Sequence, residues 1–343
     1  PTAVLVPQEV DALFANLREL KAEGHTLIFI SHKLDEVLAI ADDITVMRRG
    51  TTVGEARPEG TTKRQLAELM VGSELPSPQT EESTVTDRVQ LEVRDLTLHD
   101  SFGRALLTDI DLTIRRGEVL GIAGVEGNGQ AELVDAIMGI RPIAWGAIEL
   151  SGADVGRLST AARRHSGVGF IPEDRHRQGL MLEGTLWENR VLGHQMRRPS
   201  ARGWLLDRAA ARADTRRIVE TFDVRTPGIE VTAASLSGGN QQKLIVGREM
   251  SEDPVLLIAS HPTRGVDVGA QAAIWEHLRT ARAAGLAVLL ISADLEELIG
   301  MSDRLTVILR GRLTGTYDPR TVTPEQLGAA MTGAADETTG EVA

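Results

Sequence analysis

The sequence predicts an α/β protein, with short strands buried on both faces alternating with helices. Three observations carry that expectation. Val119–Ala123 and the runs over 255–258 and 287–291 are four or five residues long and lack polar alternation, as the strands of a parallel sheet do. The first of them runs into a glycine-rich turn and then a helical pattern over 131–138. The stretch that begins at Pro262 also repeats the stretch that begins at Pro1, so the pattern occurs twice.

Length and charge bound what such a protein does. A chain of 343 residues suits about two domains. With 42% apolar and 25% charged residues it is globular, and with only 3% aromatics its core is built from Ala, Leu, Val and Ile. Against 37 Lys and Arg stand 49 Asp and Glu, a net charge of −12. An acidic chain lacks the basic footprint that nucleic-acid binding needs. There is no cysteine, hence no disulfide or thiolate chemistry, which fits the cytoplasm. The longest apolar runs fall far short of the roughly 20 residues of a membrane helix, and no signal peptide is visible. Any work at a membrane is that of a peripheral subunit.

Taken in order, residues 8–22 place Val10, Leu13, Phe14, Leu17 and Leu20 on one helical face, and Gly24 ends the helix. A buried strand is expected over 26–30, then Ser31-His32-Lys33, a helix over Leu34–Ile40, and a strand over 44–47 that closes at Arg49-Gly50. Adding 261 to these numbers brings Pro1-Thr2 onto Pro262-Thr263, Gly24 onto Gly285 and Ile30-Ser31 onto Ile291-Ser292. Leu34 and Glu36 fall on Leu295 and Glu297, and Arg49-Gly50 on Arg310-Gly311, with no gap. An ungapped series of this length is an internal duplication. About 170 residues lie between Val89 and the second Pro-Thr, and none precede the first. The expected layout is therefore a C-terminal fragment of a first domain over 1–73, a Pro/Ser/Thr/Glu-rich linker over 74–88, a complete second domain over 89–332 and a disordered polar tail over 333–343. Within the second domain, 89–93 and 110–114 read as strands and 185–222 is mainly helical by pattern.

Two stretches carry chemistry. Leu236-Ser237-Gly238-Gly239-Asn240-Gln241-Gln242-Lys243 leads into an amphipathic run over 241–250. A serine and two glycines at the head of a helix suit an anion: the free N–H groups and the helix dipole face it, and the Ser237 hydroxyl adds a donor. The same letters also suit an ordinary loop before a capped helix. The second stretch, Gly124-Val125-Glu126-Gly127-Asn128-Gly129-Gln130-Ala131, lies between a strand and a helix, the setting of a phosphate-binding loop. Its spacing does not match the dinucleotide fingerprint GxGxxG. A working loop of this kind ends Gly-Lys-Ser/Thr, the lysine neutralising phosphate and the hydroxyl holding Mg²⁺. Here those positions are Gln130, which is uncharged, and Ala131, which cannot ligate a metal. The glycine backbone remains as a cradle.

Together with Pro172-Glu173-Asp174-Arg175 and Pro262-Thr263-Arg264-Gly265-Val266-Asp267, these stretches resemble the ATP-binding cassette (ABC) ATPases, whose signature loop is LSGGQ or LSGGN. From Pro1 to about Thr332 the chain is similar to the tandem ATP-binding subunits of bacterial importers for simple sugars and nucleosides, with the Gly-Asn-Gly-Gln loop closer to the nucleoside branch. The resemblance implies an ABC-type P-loop NTPase fold: a mixed-sheet core, an antiparallel β part and a helical subdomain, with a partial first copy at the N-terminus. It also implies that the strand before Pro262 should end in Asp-Glu, where Ser260-His261 stand, and that a switch histidine should follow Ser292, where Ala293 stands opposite His32 of the first copy. His261 has the intrinsic pKa of a base, near 6.5, but without a lysine and metal positions it has nothing to act on. The other histidines show no metal-ligand spacing, and no metal site is expected in this chain.

In such ATPases two cassettes pair head to tail around ATP and Mg²⁺. The resemblance then implies one working site, in which His32 and the absent half of the first cassette face Ser237, Gly238, Gly239 and Asn240. The other site, at Gly124, Gly127, Asn128, Gly129 and Gln130, is silent or merely binds. The implied partners are integral-membrane permease subunits, docking near 172–177 and the helical part after Thr185, and indirectly an extracytoplasmic solute-binding protein. The implied place is the cytoplasmic face of the membrane, without nucleic acid. The rivals are a soluble, non-transport tandem ABC ATPase and a non-catalytic ABC binding module.

Overall fold

The offset of 261 is written into the secondary structure. In the computed structural model, which describes residues 7–31, 34–48, 50–71, 83–202 and 205–333, helix α1 (Pro7–Ala22) and helix α9 (Val268–Ala283) start and end at matched positions. The same holds for α2 (Leu34–Ile40) and α10 (Leu295–Met301), and for α3 (Lys63–Val71) and α11 (Pro324–Thr332). The hairpins match as well. Strands β1 (Ile44–Arg48) and β2 (Thr51–Ala56) pair Ile44 with Ala56, just as β13 (Arg304–Leu309) and β14 (Arg312–Tyr317) pair Leu305 with Tyr317. Even a polar contact recurs: Ser31 Oγ donates to Glu36 at 3.2 Å and Ser292 Oγ to Glu297 at 2.7 Å.

The chain divides into two units, residues 1–76 with 265–273, and residues 77–264 with 274–343. In the first, the β1–β2 hairpin packs Ile44 and Val46 against Leu66 of α3, with Leu34, Val37 and Leu38 of α2 around them. The buried strand expected over 26–30 is not found. Among the described residues the segment has no ladder partner, and Ile28 and Ile30 are 90% and 84% exposed. The reason is physical: an apolar run becomes a buried strand only where neighbouring strands supply its hydrogen bonds and cover its faces. Its counterpart β12 (Ala287–Ile291) has them and is buried throughout.

The second unit holds two sheets. An antiparallel sheet runs in the order β4 (Ala105–Arg115), β3 (Val89–His99), β6 (Trp145–Leu150), β7 (Ala153–Asp154). A mixed sheet runs β14, β13, β5 (Val119–Ala123), β12, β11 (Leu256–Ser260), β8 (Val168–Ile171), all parallel except β14. One core lies between the two sheets and includes α4 (Gln130–Met138). Helix α5 (Thr160–His165) follows, capped by Ser159. The other core joins the mixed sheet to α6 (Leu186–Val191), α7 (Arg208–Thr221) and α8 (Gly238–Met250). A two-residue hairpin, β9 (Ala201–Arg202) with β10 (Leu205–Leu206), lies between α6 and α7. The expected linker is ordered at its end, where Thr84 Oγ1 donates to Gly117 O at 2.8 Å and Thr86 N to Arg116 O at 3.0 Å. The tail over 334–343, most of the linker (74–82) and His32 lie outside the described residues. Among the described residues no helix is long and apolar enough to cross a membrane.

Candidate functional site

Parallel strands deliver their following loops to one edge of a sheet, and that edge is where α/β proteins bind ligands. Here β5 delivers Gly124, β8 delivers Pro172, β11 delivers His261 and β12 delivers Ser292. The register sets Ile291 beside both Ile122 and Ser260, so the glycine loop and the two loops expected to hold catalytic groups are neighbours.

The glycine loop is formed as the sequence predicts. Gly129, at φ 116°, is the N-cap of α4, and a Cβ there would lie 2.9 Å from Leu107 and 3.2 Å from Gly311. A Cβ on Gly124 would lie 2.5 Å from the Gln130 amide and 2.8 Å from Ile308. What the sequence did not disclose is the direction of Gln130. Its side chain folds back into the loop, where Oε1 accepts the Asn128 N–H at 3.1 Å and Nε2 donates to Val125 O at 3.0 Å. One N–H of the glycine loop is therefore taken by the protein's own carboxamide. Asn128 fastens the loop from outside: its Nδ2 also donates to Val125 O at 2.9 Å, its Oδ1 accepts the Arg310 N–H at 2.9 Å and its main-chain O accepts the Gly311 N–H at 2.8 Å.

The surrounding groups are tied to one another in the same way. His261, at φ 48°, donates its N–H to Ile291 O at 2.7 Å, and its Nδ1 accepts the Ala293 N–H at 3.3 Å. That bond leaves the proton on Nε2. Burial lowers the His261 pKa, and Arg264 lowers it further against the opposing pull of Glu173 and Glu126. Arg264 pairs with Glu173 and lies 3.9 Å from Glu126, and Arg175 Nη1 donates to Arg264 O at 2.9 Å. Glu297 is buried among the donors Ser292, Trp275 and Thr263, and its burial raises its pKa. The donor set does not fit Mg²⁺, which wants several hard oxygens. Ala131 has no ligand atom, Ser260 is a buried neutral hydroxyl, and His261 is a nitrogen donor already engaged at Nδ1. Among the described residues no cluster of three or more acidic or histidine side chains is placed to hold a metal.

The signature stretch has the opposite character. Helix α8 starts at Gly238, three residues ahead of the predicted amphipathic run, a start that the low helix propensity of two glycines hid in the sequence. Ser237 is the N-cap, yet its side chain accepts no N–H from the first turn. Instead Ser237 Oγ accepts Asn240 Nδ2 at 2.9 Å, which leaves the hydroxyl proton free to donate outward. Asn240 Oδ1 accepts the Arg225 N–H at 2.8 Å. Exposed Ser237 and half-buried Gly238 and Asn240 thus present a helix terminus whose first N–H groups have no side-chain cap. The helix beneath is firmly held: ten of its residues are buried, and Glu249 near its end takes Arg164 at 2.7 Å, Arg248 at 2.7 Å and the Phe170 N–H of β8 at 3.1 Å. No hydrogen bond or ion pair among the described residues joins 237–240 to the glycine loop.

Sequence reading missed two contacts here. Arg264 and Glu173 are 91 positions apart and show no periodic link. His176 meets Gln241 across 65 positions.

Residues 107–264 match the family model described as ABC transporter. The chain is 43% identical over 333 residues to the nucleoside import ATP-binding protein NupA of Lactococcus lactis, covering 97% of this chain and 66% of that protein. It is 42% identical to the glucose import ATP-binding protein TsgD13 of Haloferax volcanii, covering 98% of this chain and 62% of that one. To the guanosine import ATP-binding protein NupO of Bacillus subtilis it is 39% identical, covering 99% and 67%. The chain therefore spans about two thirds of the length of these relatives, and less in some. A nucleotide-free ATP-binding cassette from an ABC transporter superposes with a TM-score of 0.59 at 20% identity, covering 71% of this chain and 95% of that cassette, and shares the fold. An ATP-binding subunit of an ABC transporter gives 0.58 at 22% identity, covering 71% and 99%. With a P-loop NTPase fold, an LSGGN signature loop and relatives of this identity along nearly its whole length, the chain belongs to the ATP-binding proteins of the ABC transporter family.

Proposed function

We propose that this chain is the C-terminal part of a tandem ATP-binding subunit that powers an ABC importer for nucleosides or monosaccharides. We further propose that its complete cassette, residues 89–332, lends a signature loop to a nucleotide held by the other cassette. The observation that carries the reading is the contrast between two phosphate-type elements in one domain. The cradle at Gly124–Gln130 is closed by the Gln130 amide, whereas the N-terminus of α8 is open. The names of the relatives, which include nucleoside, guanosine and glucose importers, support the transport role and both solute classes. The exposed Ile28 and Ile30 support a first cassette whose sheet is completed by strands from elsewhere.

In this reading the residues of the chain do four things. The N–H groups of Gly238, Gly239 and Asn240 and the Ser237 hydroxyl bind phosphate oxygens of ATP, and the positive end of α8 stabilises the charge that grows there as the terminal phosphate departs. The Asn240 amide holds the Ser237 oxygen in place. His32, in the first copy, occupies the switch position and orients the reacting water or phosphate. Mg²⁺ belongs to that site, with ligands from the first cassette, because the donor set around Ser260 does not fit it. Closure on ATP and reopening after hydrolysis then move the permease subunits at the cytoplasmic face of the membrane.

The test is ATP turnover by the 343-residue chain, alone and mixed with a first-cassette polypeptide carrying an intact Gly-Lys-Ser/Thr loop. Mg²⁺-dependent turnover that requires the mixture supports the proposal. Robust turnover by the chain alone refutes it.

A further inference from the structure

The segment after β8 contains one residue that the proposed function leaves unused. Asp174 caps a single π-helical turn over Arg175–Gly179, accepting the N–H groups of His176 at 3.0 Å and Arg177 at 3.1 Å. A Cβ on Gly179 would lie 2.8 Å from Ile245 of α8, so the turn sits directly on the signature helix. From this turn His176 Nε2 meets Gln241 Oε1 at 3.0 Å. Gln241 is 5% exposed, and its Nε2 donates to Ala233 O at 3.1 Å. Because a carbonyl can only accept, that second bond orients the amide with its oxygen toward His176, and the imidazole must then donate. The Gln241 N–H itself bonds Ser237 O at 2.9 Å, the first turn of α8. His176, Gln241 and Ala233 therefore form one chain that spans the signature loop, from the short turn over Ala233–Ser235 before it to the helix after it.

We propose that His176 is a positioning residue for the signature loop: by donating to Gln241 it holds the amide that joins the two ends of the loop, and so sets the angle at which Ser237, Gly238 and Gly239 are presented. It touches no substrate. The proposal rests on the reading of that loop as a phosphate-binding element only in its functional consequence; the positioning itself is a property of this chain.

The test compares His176→Leu, which removes the donor at similar volume, with His176→Gln, which keeps a donor at similar reach. In the 343-residue chain, amide hydrogen exchange over 236–243 is expected to rise about five- to tenfold in His176→Leu, the loss of one hydrogen bond. Exchange in β11 and β12 should stay unchanged, and His176→Gln should restore the wild-type rate. Unchanged exchange over 236–243, an equal rise across the sheet, or failure of His176→Gln to rescue would each overturn the proposal. In the two-cassette protein with its permease, His176→Leu should lower kcat several-fold with the KM for ATP unchanged, and His176→Gln should recover it. If exchange responds as expected and kcat does not, the positioning role stands and the trans-acting reading of the loop fails.

Discussion

The closed glycine loop makes a quantitative claim about nucleotide affinity. For a phosphate to enter the cradle, the Gln130 amide must give up its bonds to the Asn128 N–H and to Val125 O. Two neutral hydrogen bonds in a half-buried loop are worth about 2 kcal/mol together. A lysine at this position would add a charge-assisted bond to phosphate, about 2 kcal/mol more. The double substitution Gln130→Lys with Ala131→Ser removes the plug and restores the usual loop ending. It should therefore tighten ATP binding by about 4 kcal/mol, close to a thousandfold. Titration of the 343-residue chain with a fluorescent ATP analogue, with and without Mg²⁺, measures this. Wild-type chain that binds ATP as tightly as the double variant would refute the closed-loop reasoning. Gln130→Ala separates the parts: it opens the loop without adding charge and should recover only the first, about thirtyfold, portion.

Further expectations concern the frame that holds the signature loop. A Cβ on Gly247 would lie 2.5 Å from Ile218 and 2.9 Å from the Phe222 ring, which itself lies against His277 at 4.2 Å. Gly247→Ala gains about 1 kcal/mol of helix propensity but forces apart two buried side chains that cannot retreat, at about 1–3 kcal/mol. Urea titration should show a net loss, and a gain would contradict the packing of α7 on α8. Glu252 bonds His194 at 3.0 Å, Arg190 at 2.9 Å and Arg197 at 2.8 Å. Burial pushes its carboxyl up, yet the His194 bond and charge and the Arg190 contact bring it down from 4.5 to about 2. A depressed carboxylate stabilises the fold above its unfolded pKa and loses that contribution as pH falls through the folded one. The stability gap between wild type and Glu252→Gln should therefore be full at pH 7 and narrow between about pH 4.5 and pH 2; a gap constant across that window would contradict the role of the network.

Much of this was readable in the letters, for identifiable reasons. The glycine loop and the strand feeding it were legible because backbone approach and burial each demand particular residues in a row. The duplication was legible because matched elements keep matched numbers, as α1 and α9 do. Residues 26–30 mark the limit. Their apolar pattern equals that of β12, but a pattern states only what a segment needs, and among the described residues the strands that cover β12 have no counterpart beside Ile28. The fate of Gln130 was hidden for a different reason: its composition announced the missing charge, and only the loop geometry gave its amide a bond at each end. Arg264 with Glu173, and His176 with Gln241, join residues far apart in the chain, where no local spacing signals a contact.

In the proposed function the open terminus at Ser237 serves ATP held elsewhere, while the domain's own cradle stays shut. Ser237→Arg places a bulky cation where phosphate should lie without touching the glycine loop. In the two-cassette protein assembled with its permease, this one substitution should abolish Mg²⁺-dependent ATP turnover. Turnover at the wild-type rate would contradict it.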